Sequence, residues 1–259
     1  MKAETLPIYF DGKHYDAWTE RKVDIPFYKR QVERYGDPVL ELGCGTGRIT
    51  IPIAREGHEI IGLDISDKLL NRAKDKAKNE GLDINWIKGD MRDFSLDKRF
   101  DLIFIPFNSI HHILTLEDLE KVLNNVRKHL KPEGRFIVEL FNPDLEILNR
   151  DPTEEHEVTE YEDPTSKREV KVTESTDYER AKQLMHLSWF YELGDRKEEI
   201  EWTIRVWFPK EVDAILKYND FKIEQKYGDF DESPMTNNST QQILVCKKRQ
   251  NKYSLKQRR

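Results

Sequence analysis

Two hydrophobic patterns alternate along the first 150 positions. Short solid apolar runs, "PVLEL" (38–42), "EIIGLD" (59–64), "INWIKGD" (84–90), "FDLIFIPF" (100–107) and "RFIVELF" (135–141), read as strands. "FDLIFIPF" is apolar on both faces, as a central parallel strand covered by helices requires. Between the runs, apolar residues recur at helical spacing. "SDKLLNRAKDKAKNEG" predicts a helix capped by Ser66 and stopped by Gly81. "LEDLEKVLNNVRKHLKPEG" predicts another, ended by Pro132 and Gly134. Strands and helices in this alternation predict an α/β fold, a Rossmann-like doubly wound sheet.

After position 150 the period changes to two. Met185, Leu187, Trp189 and Tyr191 share one face of "AKQLMHLSWFYEL", and Ile200, Trp202, Ile204, Val206 and Phe208 share one face of "EEIEWTIRVWF". "ELGDRK" supplies turn chemistry between them, and "REVKVTES" reads as a third strand. These segments predict an inserted antiparallel β-sheet buried on one face. "PKEVDAILKYN" then returns to helix with Pro209 near its start, followed by strands "FKIEQKYGD" and "QQILVCKK". The expected organisation is N-terminal helices with the α/β core over 1–150, the insert over 151–208, the end of the core over 209–248 and a tail over 249–259.

Composition narrows the partners. The chain of 259 residues is 36% charged with a net charge of −6, which argues against a nucleic-acid phosphate backbone as partner. "DPTEEHEVTEYEDP" (151–164) is strongly acidic and reads as a solvated loop. "KKRQNKYSLKQRR" (247–259) is basic and reads as a frayed, disordered terminus in preference to a nucleic-acid arm. Cys44 and Cys246 show neither metal spacing nor a disulfide framework. The N-terminus lacks an apolar signal region and no run reaches membrane-spanning length, so the expectation is a cytoplasmic protein with no membrane partner and no metal.

The first strand opens into "ELGCGTGR", with glycines at 43, 45 and 47. A glycine-rich turn entering a helix frees backbone N–H groups to hold an anionic group, though a plain tight turn uses the same residues. A dinucleotide fingerprint wants its third glycine where Arg48 stands, which disfavours a dehydrogenase. Asp64 closes the second strand 21 residues beyond Gly43, where a carboxylate can chelate a ribose diol. Asp90, in "KGDMRDF", is a suitable acceptor for an adenine amino group, although Gly-Asp is also an ordinary turn pair.

The segments "VLELGCGTG", "GLDIS", "GDMRDF" and "LKPEGRFIVELFNP" resemble the class I S-adenosylmethionine-dependent methyltransferases, strongly over about half the chain. The resemblance implies S-adenosyl-L-methionine as cofactor and a seven-stranded mixed sheet whose last strand is antiparallel, with the insert over the cofactor cleft. By that likeness Gly43, Gly45 and Gly47 approach the methionine moiety and Asp64 binds the ribose. Asp90 and the backbone of Met91 read the adenine, and Glu41 orients the loop through solvent or backbone. Tyr15, Trp18, Cys44, Ile65 and Phe107 complete the implied cofactor set.

Two adjacent imidazoles stand in "FNSIHHI" where the fourth strand ends, beside the implied methyl group. This stretch is similar to amine-modifying members, including amino-sugar N,N-dimethyltransferases and glycine N-methyltransferases. The sugar enzymes have a histidine at the position of His112, and an N-terminal aromatic matching Tyr9 or Tyr15 helps orient the amine. Methyl transfer is an in-line displacement that depends on alignment, and an ammonium acceptor must first lose a proton. His112 is thus the candidate base or orienting group, with Tyr15 as second catalytic candidate. Adjacent residues diverge, so one imidazole at most is expected to face the pocket. Tyr9, Asn108, His111, His112 and Trp207 are the substrate candidates. Ser109 can also bond an acceptor. Helix capping or core packing is the competing account of each. The expected function is methyl transfer to a small-molecule acceptor, an amine nitrogen. The alternatives are an RNA or protein methyltransferase and a non-catalytic S-adenosylmethionine-binding protein; a homodimer is left open.

Overall fold

The solid apolar runs become the middle of one sheet. The computed structural model describes residues 12–19 and 22–249. β1 (Val39–Leu42), β2 (Ile60–Asp64) and β4 (Phe100–Ile105) are buried at almost every position. β3 (Asn85–Lys88), β5 (Leu130–Phe141), β10 (Phe221–Tyr227) and β11 (Gln241–Lys248) complete the order β3–β2–β1–β4–β5–β11–β10. β1 to β5 pair in parallel, whereas β11 runs antiparallel to both β5 and β10. The expected seven-stranded mixed sheet with an antiparallel last strand is therefore present.

Helices α1 (Gly12–Trp18), α2 (Ile25–Tyr35), α3 (Thr50–Arg55), α4 (Asp67–Asn79), α5 (Leu116–His129) and α6 (Pro209–Tyr218) accompany the sheet. Ser66 caps α4 by accepting the Leu69 N–H, and Thr115 caps α5 by accepting that of Asp118 at 3.1 Å. Leu69, Leu70, Ala73 and Ala77 form the buried stripe of α4, at the spacing that predicted the helix. α5 ends earlier than expected. Leu130 is already extended and pairs with Phe100, so Pro132 and Gly134 belong to β5. Proline disfavours helical backbone at the residue before it, which moves the boundary upstream.

The insert is a four-stranded antiparallel sheet, β6 (His156–Glu162), β7 (Glu169–Glu179), β8 (Leu184–Leu193) and β9 (Arg196–Arg205), in that order. Leu187 faces Trp202 and Met185 faces Ile204 across the β8–β9 pair, and all four are buried as the alternation required. Val206 and Phe208 lie beyond the end of β9. The acidic run is only partly a loop, because its second half is the edge strand β6. Tyr161 alone is buried along that strand, and charged positions on an edge leave little hydrophobic period to read. Lys247 and Lys248 belong to β11 and are not part of a frayed tail. Arg249 donates to the Phe221 carbonyl, and residues 250–259 and Tyr9 lie outside the described residues. No helix among those described is long and apolar enough to cross a membrane.

Candidate active site

Loops leaving the carboxyl ends of β1 to β4 meet around β1, which pairs with β2 on one side and β4 on the other. Connections diverge at this point, so a crevice opens there. A cleft of about 290 Å³ occupies it. Gly43 and Gly45 form part of its wall, with φ of 77° and 55° in the left-handed region. A Cβ on Gly43 would lie 2.9 Å from Ser109 Oγ, so the glycine loop touches the turn that carries the histidines. Gly47 and Cys44 do not line the cleft. A Cβ on Gly47 would strike the Trp86 ring at 2.7 Å, and Cys44 is buried, so of the three glycines two border the cleft.

The acids are placed unequally. Asp64, 7% exposed, accepts the Gly45 N–H on Oδ2 and the Ser66 N–H on Oδ1, each at 2.8 Å. Burial raises its pKa, and the amides of Ser66, Gly45 and Ile65 oppose that rise only in part. Three amides occupy three of the carboxylate's roughly four lone-pair sites, which leaves room for a hydroxyl donor. Glu41 is fully enclosed, and burial pushes its pKa up to about 8, so it holds its proton at neutral pH. Its partner is the Thr50 hydroxyl, a side chain and not the expected solvent or backbone contact.

Asp90 lines the cleft but is engaged by Arg92. The guanidinium Nε stands 3.0 Å from both carboxylate oxygens, and the Arg92 backbone N–H donates to Oδ1 at 2.8 Å. Arg92 also donates to Asp118 at 2.9 Å. Burial alone would raise the Asp90 pKa, but the Arg92 hydrogen bonds hold it below the usual carboxylate range. Neither Arg92 nor Asp118 was singled out from sequence, although Arg92 stands inside the quoted "GDMRDF".

Tyr15, on α1, closes the cleft against Gly45 and is 8% exposed. Burial pushes its phenol far up, so it remains an O–H group. Trp18 sits edge-on to Tyr15 at 5.6 Å and to Trp189 at 5.5 Å, and it is not part of the wall. Ile65, Met91 and Phe107 do line it. Phe107 and Asn108 both have positive φ, 52° and 61°; asparagine tolerates this region, whereas for phenylalanine it is an unfavourable conformation that persists only where surroundings impose it. The Phe107 N–H donates to Glu139 Oε2 at 2.9 Å, and the Arg48 guanidinium stands 4.7 Å from its ring centroid.

That strained step feeds the 3-10 turn Ser109–His112, and there the imidazoles part. His112 and Ser109 line the cleft, whereas Asn108 does not. Burial lowers the His112 pKa to about 4, so its ring is neutral at physiological pH. His111 turns away, stacks on Phe141 with ring centroids 3.9 Å apart, and donates from Nδ1 to the Arg205 carbonyl at 2.6 Å. Burial takes its pKa to about 3. It ties the core to the end of β9 and is not on the cleft. Trp207 has no exposed surface and packs in the core cluster with Phe136 and Phe221, so it too leaves the substrate candidates. Thr203 of β9 reaches the cleft instead, a contact that strand alternation alone could not reveal.

The residues present fit a nucleoside carrying an amino-acid tail. A carboxylate with spare lone pairs stands at one point of the cleft, side-chain-free glycines at another, and apolar Ile65, Met91 and Phe107 complete the wall. Residues 39–134 match a family described as "Methyltransferase domain". A dTDP-3-amino-3,4,6-trideoxy-alpha-D-glucopyranose N,N-dimethyltransferase of Streptomyces venezuelae is 28% identical over 137 residues, 53% of this chain and 56% of its own length. A demethylmenaquinone methyltransferase of Lactobacillus johnsonii is 32% identical over 129 residues, 47% of this chain and 51% of its own. The chain thus spans about half the length of these curated relatives. The solved CcbJ methyltransferase from Streptomyces caelestis shares the fold with a TM-score of 0.79 at 22% identity, over 93% of this chain and 98% of the other. Over residues 39–134 the chain is thus similar to methyltransferase domains, in keeping with its glycine loop, its acids and its strand order.

Proposed function

We propose that the protein transfers a methyl group from S-adenosylmethionine to a small-molecule amine by in-line displacement. The cofactor supplies a sulfonium-activated methyl. Asp64 would hold the ribose hydroxyls, with Gly43, Gly45 and Ile65 along the rest of the molecule. Met91 would cover its aromatic end and Phe107 would pack along the cleft wall, while Asp90 would contribute through its pair with Arg92 and not as a free acceptor. The observation that carries the reading is a neutral imidazole, His112, on the same wall as the glycine loop. A neutral ring can accept an N–H from an uncharged amine and so direct its lone pair; alignment of this kind accounts for several powers of ten in rate. The Tyr15 hydroxyl stands on the same cleft as a second polar contact. The relative that modifies an amino sugar favours nitrogen, and the net charge of −6 disfavours RNA.

The test is a screen of amines, alcohols and RNA with labelled cofactor, the product identified by mass. Transfer to an amine supports the reading. Transfer only to RNA, or tight cofactor binding without transfer to any acceptor, would replace it.

A further inference from the structure

The short helix α1 carries Tyr15 over the cleft, yet its seven residues are too few to be stable alone. Something must hold it, and Asp16 is placed to do so. Its Oδ1 accepts the Thr46 hydroxyl at 2.6 Å and Lys76 Nζ at 2.9 Å, while Oδ2 accepts Arg72 Nε at 2.8 Å. Lys76 also donates to Thr46 Oγ1 at 3.2 Å, which closes the network. Thr46 directly follows the cleft-lining Gly45, and Arg72 and Lys76 project from α4. One carboxylate therefore joins the cofactor loop, the helix after β2 and the element bearing Tyr15.

A second observation is independent of charge. A Cβ on Gly12 would stand 2.5 Å from Arg72 Cβ and 3.3 Å from Thr46 Cγ2, so α1 is seated on α4 as closely as glycine permits. Burial would raise the Asp16 pKa, but bonds from Thr46, Lys76 and Arg72 keep it below its ordinary value, so the clasp is charged at neutral pH.

We infer that Asp16 is a positioning residue that clasps α1 onto the glycine loop and so governs how long the cofactor stays bound. The inference rests on the cofactor reading above. Opening α1 withdraws Tyr15 from the wall, and ligand escape follows that opening.

S-adenosylhomocysteine is the probe, followed by stopped-flow tryptophan fluorescence, since Trp18 stands at the end of α1. Asp16→Asn keeps an acceptor for Thr46 and loses both ion pairs. It should raise the dissociation rate about tenfold with little change in association. Higher ionic strength should accelerate release from the native protein and not from the variant. Gly12→Ala should act in the same direction without altering charge. Amide exchange over 13–18 in the free protein should quicken in both variants. Unchanged release and exchange in both would overturn the clasp. If the native chain failed to bind the probe, the cofactor reading would fall, while exchange in the free protein would still decide whether Asp16 holds α1.

Discussion

His112→Gln separates two roles for this imidazole that structure makes unequal. An alkylammonium has a pKa near 10 and His112 is held at about 4, so passing the proton to the ring is uphill by roughly six powers of ten, or about 8 kcal/mol. General-base catalysis typically returns only about 10²–10⁴ in rate, which does not cover that cost. Beside a bound sulfonium the ring is held neutral more firmly still. The native enzyme should therefore use the uncharged amine directly. With the amine giving the highest turnover, log(kcat/KM) should rise about one unit per pH unit up to the amine pKa, with no bend between pH 5 and 8. Glutamine keeps a carbonyl acceptor and should cost less than about tenfold. His112→Ala loses the hydrogen bond and the alignment with it, about ten- to a hundredfold. An inflection near pH 6.5 in the native profile that vanished in His112→Gln would refute the argument and restore proton transfer.

Three further outcomes follow from the buried groups. Asp64→Ala should abolish the rise in melting temperature caused by S-adenosylmethionine, because two charge-assisted hydrogen bonds of about 1.5–3 kcal/mol each are lost; a preserved shift would remove Asp64 from the site, and NAD should give no shift in the native protein. Glu41 keeps its proton to about pH 8 when folded, whereas the unfolded chain releases it near 4.5, so native stability declines as pH rises through that window. Glu41→Gln does not titrate and should gain on the native protein by on the order of 4 kcal/mol between pH 5 and 8, measured by urea unfolding; parallel curves would contradict a protonated carboxyl. His111 and His112 have folded pKa values of about 3 and 4 against 6.5 unfolded, so their contribution is intact above pH 6.5 and lost as pH falls toward 4. His111→Gln, which still has a donor for the Arg205 carbonyl, should flatten that acid-side loss, and an unaltered slope would place the labile group elsewhere.

What could be read in advance was whatever has a local cause. Solid apolar runs became β1, β2 and β4 because burial on both faces leaves no polar position to interrupt them. Ser66 announced α4 because a cap is a bond between near neighbours. Asp64 and the glycine loop were visible because their relation is fixed by one strand–helix–strand crossover. The errors arise where partners are distant in sequence. Trp207 falls on the face opposite Trp202 by alternation, but the chain has left β9 by then and the ring enters the main core. No period could show that Thr203, 91 residues from His112, shares its cleft.

The two histidines show why the site is legible as a place before it is legible as a mechanism. Residues leaving a strand at the mouth of an α/β sheet are marked by position alone, and that both imidazoles could not face one pocket follows from backbone geometry. Which ring turns inward is decided by Phe141 and the Arg205 carbonyl, contacts from another strand and from the insert. The same enclosure that fixes the direction also removes water, and loss of water lowers both pKa values. A histidine that sequence offers as a base is therefore converted by its own burial into a neutral hydrogen-bonding group. Under the proposed function, packing at residues 107–112 favours alignment over proton transfer whatever the side chain's free pKa.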